Sequence, residues 1–392
     1  MNIFLKIKKK GLSWVIARSR QELRSPTFKL PKLILDSVLT AKKRMRSVTS
    51  KVIDDEVIYG IYDLNICDLT YAIGIFLVDF EMEARRNNKK GFVVVIVPSS
   101  LDPILGWNEY DSVIDSDSKL WRFQNIVIPL TYLSSYCRGI YVLPSRSHAI
   151  DFAKTHHVYP YLYDGINLRR TDAVDLIYKK LDRPGLFEGL RANTQGLNYV
   201  KDWLHAKGVK SLVVTITIRD CSFDTARNSD TEAWSRFAQY LLAVGYSPVV
   251  IPDTDKAFCE KLGFEGVTFF TECAWNMGLR MALYESAYLN FFVPNGCMTL
   301  ALLNPLCSYI FMNQLPKDSI VTNKEAYKKF GHIIGNNYKF ANHRQRLCFK
   351  PDTFENIRIE FDHFVIDNPP IIKIEDAMTE LTGDLSQNKA ST

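Results

Sequence analysis

A cluster of charged and polar residues follows one β-branched run of the sequence, Val213–Ile218, and leads into a helical pattern. Guanidinium forks bind anions bidentately, and the backbone N–H groups at the start of a helix also favour negative charge. We therefore predict an anion site in which two arginines bind the anion, two polar residues support it, and a carboxylate orients an arginine or acts on the substrate. These residues are Arg219, Asp220, Arg227, Asn228 and Ser229.

A structural interpretation exists for some of these residues. Arg219 and Asp220 fit a salt bridge at a strand end. Ser229 with Glu232 has the S-x-x-E spacing of a capping box. Arg227 has no such interpretation, because a guanidinium near a helix N-terminus is unfavourable unless an anion lies beside it. We predict that Arg227 contacts a ligand.

A second turn of the same kind follows the run at residues 288–293. Its glycine allows close backbone approach, and the N–H groups after it have the pattern of a phosphate cradle. An ordinary Asn-Gly turn is the alternative, and no Gly-Lys-Ser/Thr follows as in a P-loop. Two such edges predict a bound diphosphate and hence a nucleotide-linked substrate. The residues are Asn295, Gly296, Cys297, Met298 and Thr299, of which Cys297 is expected to pack rather than to act as a nucleophile.

Further candidates lie at other predicted strand ends. Glu272 follows a short strand and is placed to meet a base or ribose, with helix capping at Thr271 as the alternative. Asp63 ends the first strand of the other half and is our candidate general base. Arg122 and Asn125 are placed to line the same cleft.

Regular alternation of strands and helices positions the second set of candidates. Alternation of this kind predicts a doubly wound parallel sheet, with ligands at the carboxyl ends of its strands. That rule selects the positions after the strands: Arg219, Pro252-Asp253, Thr271-Glu272, Asn295-Gly296 and Asn313. The predicted strands are 212–218, 248–251, 267–270, 288–293 and 308–312, and the predicted helices are 230–244, 255–262, 274–286 and 297–303.

The first half reads as a similar α/β unit, whose buried strand 92–97 is typical of a parallel sheet. The other predicted strands are 56–62, 126–128 and 140–143, with helices at 68–83 and 145–155. A helix at 197–206 joins the halves, and a last helix is expected at 354–364. The predicted domains are a basic arm (1–51), an acceptor domain (52–195), a nucleotide-sugar domain (196–350) and a C-terminal helix with a disordered tail (351–392).

The charge of the chain is concentrated at its start. Residues 1–51 contain 14 of the 49 Lys and Arg residues but only 2 of the 43 Asp and Glu residues. The remaining body is mildly acidic, so a nucleic-acid partner is not expected. Apolar residues among the lysines of residues 1–46 suit a helix on an anionic membrane surface, and equally a basic tail or a helix packed on the body.

No apolar run approaches the ~20 residues of a spanning helix, so we expect a cytoplasmic protein with a peripheral membrane contact as an open alternative. The 8 cysteines are scattered without a Cys-x-x-Cys. This spacing favours reduced thiols and no structural zinc.

The chain resembles a group of bacterial GT-B-like proteins associated with surface-polysaccharide synthesis. The fold expected is therefore α/β, with two Rossmann-like doubly wound domains facing a cleft. The resemblance covers about residues 55–365, and the arm lies outside it. It rests on the segments 215–220, 226–229, 282–290 and 295–296, and more weakly on 121–125 and 345–347.

A looser similarity is to GDP-fucose-dependent fucosyltransferases, in which an arginine after a strand meets the donor diphosphate. Arg219 is the matching residue, but no histidine begins the motif, so GDP-fucose is not implied. The resemblances imply a metal-independent glycosyltransferase without a cofactor, which moves a sugar from a nucleotide-sugar donor to a glycan or lipid-linked acceptor. The alternatives are pyruvyl or phosphate transfer to a glycan, and an inactive assembly partner.

Overall fold

Two parallel β-sheets with helices packed between them organise the chain. The computed structural model describes residues 56–99, 114–165, 173–259 and 263–370. The predicted arm and tail lie outside these residues. The predicted fold class, two Rossmann-like α/β halves, is confirmed by the strand order and direction of both sheets.

The first sheet has four strands in the order β3-β2-β1-β4, and every pairing in it is parallel. The strand β2 is buried along its whole length, as its unbroken apolar sequence requires in a sheet covered on both faces. The strands are β1 (Val57–Asp63), β2 (Gly91–Val97), β3 (Cys137–Val142) and β4 (Val158–Tyr159). The helices are α1 (Ile73–Arg86), α2 (Ser116–Arg122), α3 (Ile128–Thr131), α4 (Arg146–Thr155) and α5 (Ala173–Lys180), with a π-helical segment at Phe123–Val127.

The second sheet has six parallel strands in the order β7-β6-β5-β8-β9-β10, which is the 3-2-1-4-5-6 order of a Rossmann fold. The order reverses between β5 and β8, so ligands are expected at the carboxyl ends of these two strands. The strands are β5 (Val213–Thr217), β6 (Ser247–Ile251), β7 (Thr268–Phe269), β8 (Leu289–Phe292), β9 (Tyr309–Phe311) and β10 (Gln345–Leu347). The helices are α6 (Thr194–Ala206), α7 (Thr231–Ala243), α8 (Met277–Ser286), α9 (Met298–Leu302), α10 (Lys324–Phe330) and α11 (Phe354–Asp367).

The largest hydrophobic core draws on both halves. A Cβ placed on Gly74, at the start of α1, would lie 3.2 Å from Leu190 Cδ1 and 3.3 Å from Leu303 Cδ1. The start of α1 therefore packs directly on the end of α9. This contact brings the loop before α1 against the loop that follows β8. The predicted domain boundary at residues 195 and 196 stays a prediction.

The structure differs from the sequence prediction in several short elements. Residues 126–128 are helical, not a strand, because Phe123, Ile126, Val127 and Leu130 bury one helical face. The predicted helix at 255–262 is a 3₁₀ turn at Thr254–Lys256, within the described residues. The predicted helix at 274–286 is a 3₁₀ turn, Thr271–Ala274, followed by α8. The strands β4 and β10 and the helices α2, α3, α5 and α10 were not predicted.

Candidate active site at the junction of the two sheets

The loops at the carboxyl ends of the two sheets meet where the second sheet reverses its strand order. Tyr71, from the loop after β1, packs on Gly296, from the loop after β8, so closely that a Cβ on Gly296 would lie 2.6 Å from Tyr71 Cδ2. Gly296 is thus required for close approach, as predicted, but the partner is a tyrosine of the first half. We call the residues around this contact the junction site: Tyr71, Asp253, Arg280, Tyr284, Asn295 and Cys297.

Arg280 provides a buried positive charge in the junction site. It lies in the first turn of α8, is 2% exposed, and donates from Nε to the carbonyl oxygen of Cys273. Among the described residues no carboxylate lies within ion-pair distance of its guanidinium. A buried charge without a counterion costs several kcal/mol of desolvation, and the helix dipole at α8 opposes the same charge. An anion bound here would relieve both costs.

Neutral phenols and thiols surround this guanidinium. The pKa of Arg280 lies above its ordinary value, because burial lowers it less than the ionised forms of Cys297, Tyr284 and Tyr71 would raise it, so the guanidinium is charged at neutral pH. Burial raises the pKa of Tyr71 to about 12, although Arg280 opposes the shift. At neutral pH the tyrosines are therefore protonated. They offer O–H donors and no negative charge to Arg280.

A second donor without a partner lies beside the arginine. Asn295 Oδ1 accepts from Met298 N at 2.8 Å, which fixes the orientation of the amide. Its Nδ2 is then buried with no hydrogen-bond partner in the described part of the chain. Cys297 Sγ lies 3.2 Å from the same Oδ1 and near enough to Arg280 for the charge to lower its pKa, against the raising effect of burial. Asn295 and Arg280 thus belong to one cluster, in which Asn295 Nδ2 is a buried donor without an acceptor among the described residues.

Asp253, two residues after β6, is the carboxylate of the junction site. Burial raises its pKa, and the Asp220 backbone N–H, donating to Asp253 Oδ2 at 3.0 Å, opposes the shift. The charge of Asp253 in turn raises the pKa of both Tyr71 and Cys297, so it lies near the cluster. A partly buried carboxylate with a raised pKa has the properties of a general base.

In the structure, Arg219 makes hydrogen bonds within its own loop. It is 5% exposed, and its guanidinium donates to the carbonyl oxygen of Asp224 at 3.2 Å, to the carbonyl oxygen of Phe223 and to Asn228 Oδ1. Asn228 also bonds both backbone groups of Cys221. These contacts use the donors that the predicted diphosphate would need.

Arg227 pairs with a carboxylate of its own loop. Its Nε lies 2.9 Å from Asp224 Oδ2 but is not aligned for a hydrogen bond to any described residue. The anion beside this helix start is therefore a carboxylate of the same loop, and the ligand contact predicted for Arg227 stays a prediction. Burial, followed by the charge of Arg219, lowers the pKa of Arg227.

Two other predicted roles differ in the structure. Asp230, not Ser229, caps α7 by accepting from Ala233 N at 3.1 Å. Ser229 Oγ accepts instead from Arg219 N at 2.9 Å and closes the loop. Glu272 is exposed in the 3₁₀ turn after β7. Asp220, in the loop after β5, is also exposed, and its backbone N–H contacts Asp253.

The N–H groups after Gly296 are largely occupied. Met298 N donates to Asn295 Oδ1, and Thr299 N donates to the carbonyl oxygen of Gly296 at 3.2 Å. The helix α9 that they begin is only 5 residues long. These two N–H groups are therefore not free to hold a phosphate, as the prediction of a phosphate cradle requires.

Asp63, the predicted general base, is held in a buried cluster away from the junction site. It is 1% exposed, and Arg146 donates to both of its oxygens at 2.8 Å. Tyr163 Oη and the backbone N–H of Asn65 donate to it at 2.6 and 2.9 Å. Four donors occupy the four acceptor positions of a carboxylate. No position is left for a substrate hydroxyl.

The sequence analysis missed Arg280 and Tyr71, although a signal for Arg280 exists. Met277, Arg280, Met281 and Tyr284 follow the i, i+3, i+4, i+7 spacing of a buried helical face. A charged residue at such a position is a functional signal because burying it is costly. Tyr71 carries no such signal, since its role depends on a contact with Gly296, far along the chain.

Residues 56–99, 114–165, 173–259 and 263–370 contain no cluster of three or more potential metal ligands. Asp253 and Asp255 have an Asp-x-Asp spacing, with Asp255 exposed. Over the same residues, no helix has the length and hydropathy needed to cross a bilayer.

No protein-family model matches the chain, and no curated protein matches its sequence. Among solved structures it is similar to the glycosyl transferase family 9 protein from Veillonella parvula DSM 2008, with 10% identity and a TM-score of 0.47 over 81% of this chain and 99% of that one. It is also similar to the ADP-heptose LPS heptosyltransferase II of E. coli, with 11% identity and a TM-score of 0.46 over 80% of this chain and 100% of that one. Values this low carry no argument about activity. An argument about activity rests on the residues of the junction site.

Proposed function

We propose that this protein transfers a sugar from a nucleotide-sugar donor to a glycan or lipid-linked acceptor, and that the donor diphosphate binds at Arg280. The observation that carries the proposal is the buried guanidinium of Arg280, which has no carboxylate partner among the described residues. It lies at the point where a Rossmann-type sheet reverses its strand order, where such folds bind nucleotides. A diphosphate supplies the missing negative charge.

The chemistry assigned to the junction site is electrostatic stabilisation with one proton transfer. The acceptor oxygen forms a bond to the anomeric carbon of the sugar, and the bond from that carbon to the diphosphate oxygen breaks. Arg280 stabilises the charge that develops on the departing diphosphate, aided by Asn295 Nδ2 and the hydroxyl of Tyr71. Asp253 takes the proton of the acceptor hydroxyl.

The first half is assigned to the acceptor. Two side chains of the first half lie at the junction site. One is Tyr71, and the other is the half-buried Arg122, whose charge lowers the pKa of Tyr71. We propose, from the resemblance of the sequence to GT-B-like proteins, that the acceptor belongs to bacterial surface-polysaccharide synthesis and lies at the inner face of the cytoplasmic membrane. Contact of residues 1–46 with that membrane, and independence of metal ions, are parts of the same proposal.

A ligand-binding screen tests the proposal. We expect UDP, GDP, CMP or ADP, alone or as a sugar conjugate, to stabilise the wild type by mass action, about 2.7 kcal/mol at a hundred times Kd. Arg280→Gln should lose the shift. Arg358→Gln, which removes an exposed guanidinium on α11, is the matched control and should keep it. The screen is run with Mg²⁺ and with EDTA, and equal shifts are expected because the cation is supplied by Arg280.

The outcomes separate the alternatives. Stabilisation by phosphoenolpyruvate or another phosphate donor, but by no nucleotide, would favour pyruvyl or phosphate transfer. Absence of any shift would favour an inactive assembly partner. A nucleotide shift that persists in Arg280→Gln would contradict the proposed diphosphate site.

A further inference from the structure

Two aromatic side chains are exposed beside the junction site. Phe258 and Trp275 form an edge-to-face pair with ring centroids 4.8 Å apart and an interplanar angle of 73°. Their surfaces remain 79% and 39% exposed. Neither ring is buried in a core cluster, so the pair leaves apolar surface in water at a cost that packing does not offset.

The backbone ties this pair to the residues of the proposed diphosphate site. Phe258 follows Asp253 in the loop after β6, and Trp275 ends the 3₁₀ turn after β7. Thr254 Oγ1 donates to the carbonyl oxygen of Ala274 at 3.1 Å and joins the two loops. Cys273, two residues before Trp275, accepts the Nε–H of Arg280. The two loops that carry the aromatic pair are therefore hydrogen-bonded to each other, and one of them to the anion-binding arginine.

We infer that Phe258 and Trp275 bind the base of a nucleotide whose diphosphate lies at Arg280, an inference that rests on the proposed function. A nucleobase is flat and has a π-face, and two rings at 73° leave a corner in which a base stacks on one ring and meets the edge of the other. Stacking on exposed aromatic rings is tolerant of base identity. The pair therefore supplies affinity, and other contacts select the base.

Phe258 and Trp275 together are called the clamp. Inorganic pyrophosphate has no base, so its binding tests the anion site without the clamp. Isothermal titration calorimetry with pyrophosphate and with the nucleoside diphosphate of highest affinity is performed on wild type and variants. Phe258→Ala and Trp275→Ala should each weaken nucleotide binding about tenfold, equivalent to about 1.4 kcal/mol, and leave pyrophosphate binding unchanged. Phe258→Trp and Trp275→Phe should restore binding, because they keep a ring. Tyr132→Ala, which removes a ring that is 70% exposed in the first half, is the control.

Several outcomes would overturn the clamp. Unchanged nucleotide affinity in Phe258→Ala and Trp275→Ala would refute it and leave the diphosphate site standing. Equal weakening of nucleotide and pyrophosphate would show that the rings only hold the loops in place. If wild type binds pyrophosphate but no nucleotide more tightly, the base is not recognised. If it binds neither ligand, the proposed function fails together with the clamp.

Discussion

Arg280 illustrates how a single residue that is unfavourable for folding marks a site. Its position on the apolar face of α8 would suit leucine or methionine, which would pack without a buried charge. Charged groups are rarely retained at such positions unless something else pairs with them. The absence of a carboxylate partner in the described part of the chain makes a ligand the best candidate for that pairing.

The free energy that the buried charge of Arg280 costs the folded state is measurable in the ligand-free protein. We expect Arg280→Met to raise the free energy of unfolding of the ligand-free protein by about 0.5–2 kcal/mol, the usual range when a functional residue is exchanged for a packing residue. Chemical denaturation of both proteins measures it. A marked loss of stability would mean that Arg280 is a structural residue.

Asp253 is expected to control the pH dependence of turnover. A general base works when deprotonated, so the rate should fall as pH falls through its pKa, which burial raises above the ordinary value of about 3.9. Asp253→Asn should lower kcat by about 10²–10⁴-fold and keep nucleotide binding. The pH profile of kcat/KM checks this assignment. An unchanged acid limb in the variant would exclude Asp253 as the base.

Asp63 should matter for stability rather than for chemistry. Removing one partner of a buried ion pair leaves the other charge uncompensated, so Asp63→Asn should lower the free energy of unfolding by about 3–5 kcal/mol. Glu56→Gln breaks the exposed pair with Lys90 and should change it by less than about 1 kcal/mol. Similar effects of the two changes in urea denaturation would contradict the structural role.

At the scale of elements, the sequence predicted most long strands and helices, because apolar periodicity is strong there. It failed where tertiary packing decides. Residues 126–128 have the composition of a strand, yet Phe123, Ile126, Val127 and Leu130 bury one helical face. The strands β4 and β10, of 2 and 3 residues, were not predicted either. The cap of α7 was misplaced by one residue, since Ser229 and Asp230 both have capping side chains.

The candidate site was predicted in part for the same reason. The strand-end rule selected the loops that carry Asp253, Asn295 and Gly296, and the structure places these residues in the junction site. It also selected Arg219, but the rule locates an edge of the sheet and cannot tell a side chain that binds its own loop from one that awaits a ligand. That distinction requires knowing which atoms each guanidinium contacts in the folded protein.

The loop containing Gly296 should tolerate no side chain. In Gly296→Ala the new Cβ meets the ring of Tyr71, which must move and disturb the junction site. We expect nucleotide affinity to fall about tenfold or more, by calorimetry. Gly139→Ala, in β3, adds a Cβ with nothing within 4 Å and is the control. Wild-type nucleotide affinity in Gly296→Ala would contradict this expectation.

At the scale of the molecule, His332 connects distant parts of the chain. Its ring lies 5.2–5.7 Å from those of Tyr178, Tyr327 and Tyr338, where Tyr178 is on α5 and the others follow β9. Its Nε2 is buried without a partner among the described residues. Burial lowers the pKa of His332, so protonation is unfavourable in the folded state.

Stability should therefore decrease in mild acid. Because the folded pKa lies below the unfolded value of about 6.5, the unfolded chain binds more protons between these two values, and stability is lost as pH falls through that window. His332→Phe keeps the aromatic packing and should weaken the dependence of Tm on pH between 7 and 5. The control His363→Phe alters an exposed histidine on α11. Identical pH dependence in wild type and His332→Phe would contradict this assignment.

The strand order of the second sheet has a consequence for biosynthesis. On the ribosome, β5 emerges well before its neighbour β8, because α7, β6, β7 and α8 are translated between them. Until β8 arrives, one edge of an apolar β-branched strand lacks its partner, and such edges recruit other chains. The junction site is completed at the same moment, since Asn295 and Gly296 follow β8. A nucleotide bound at the proposed site would therefore protect only chains whose translation has passed this point.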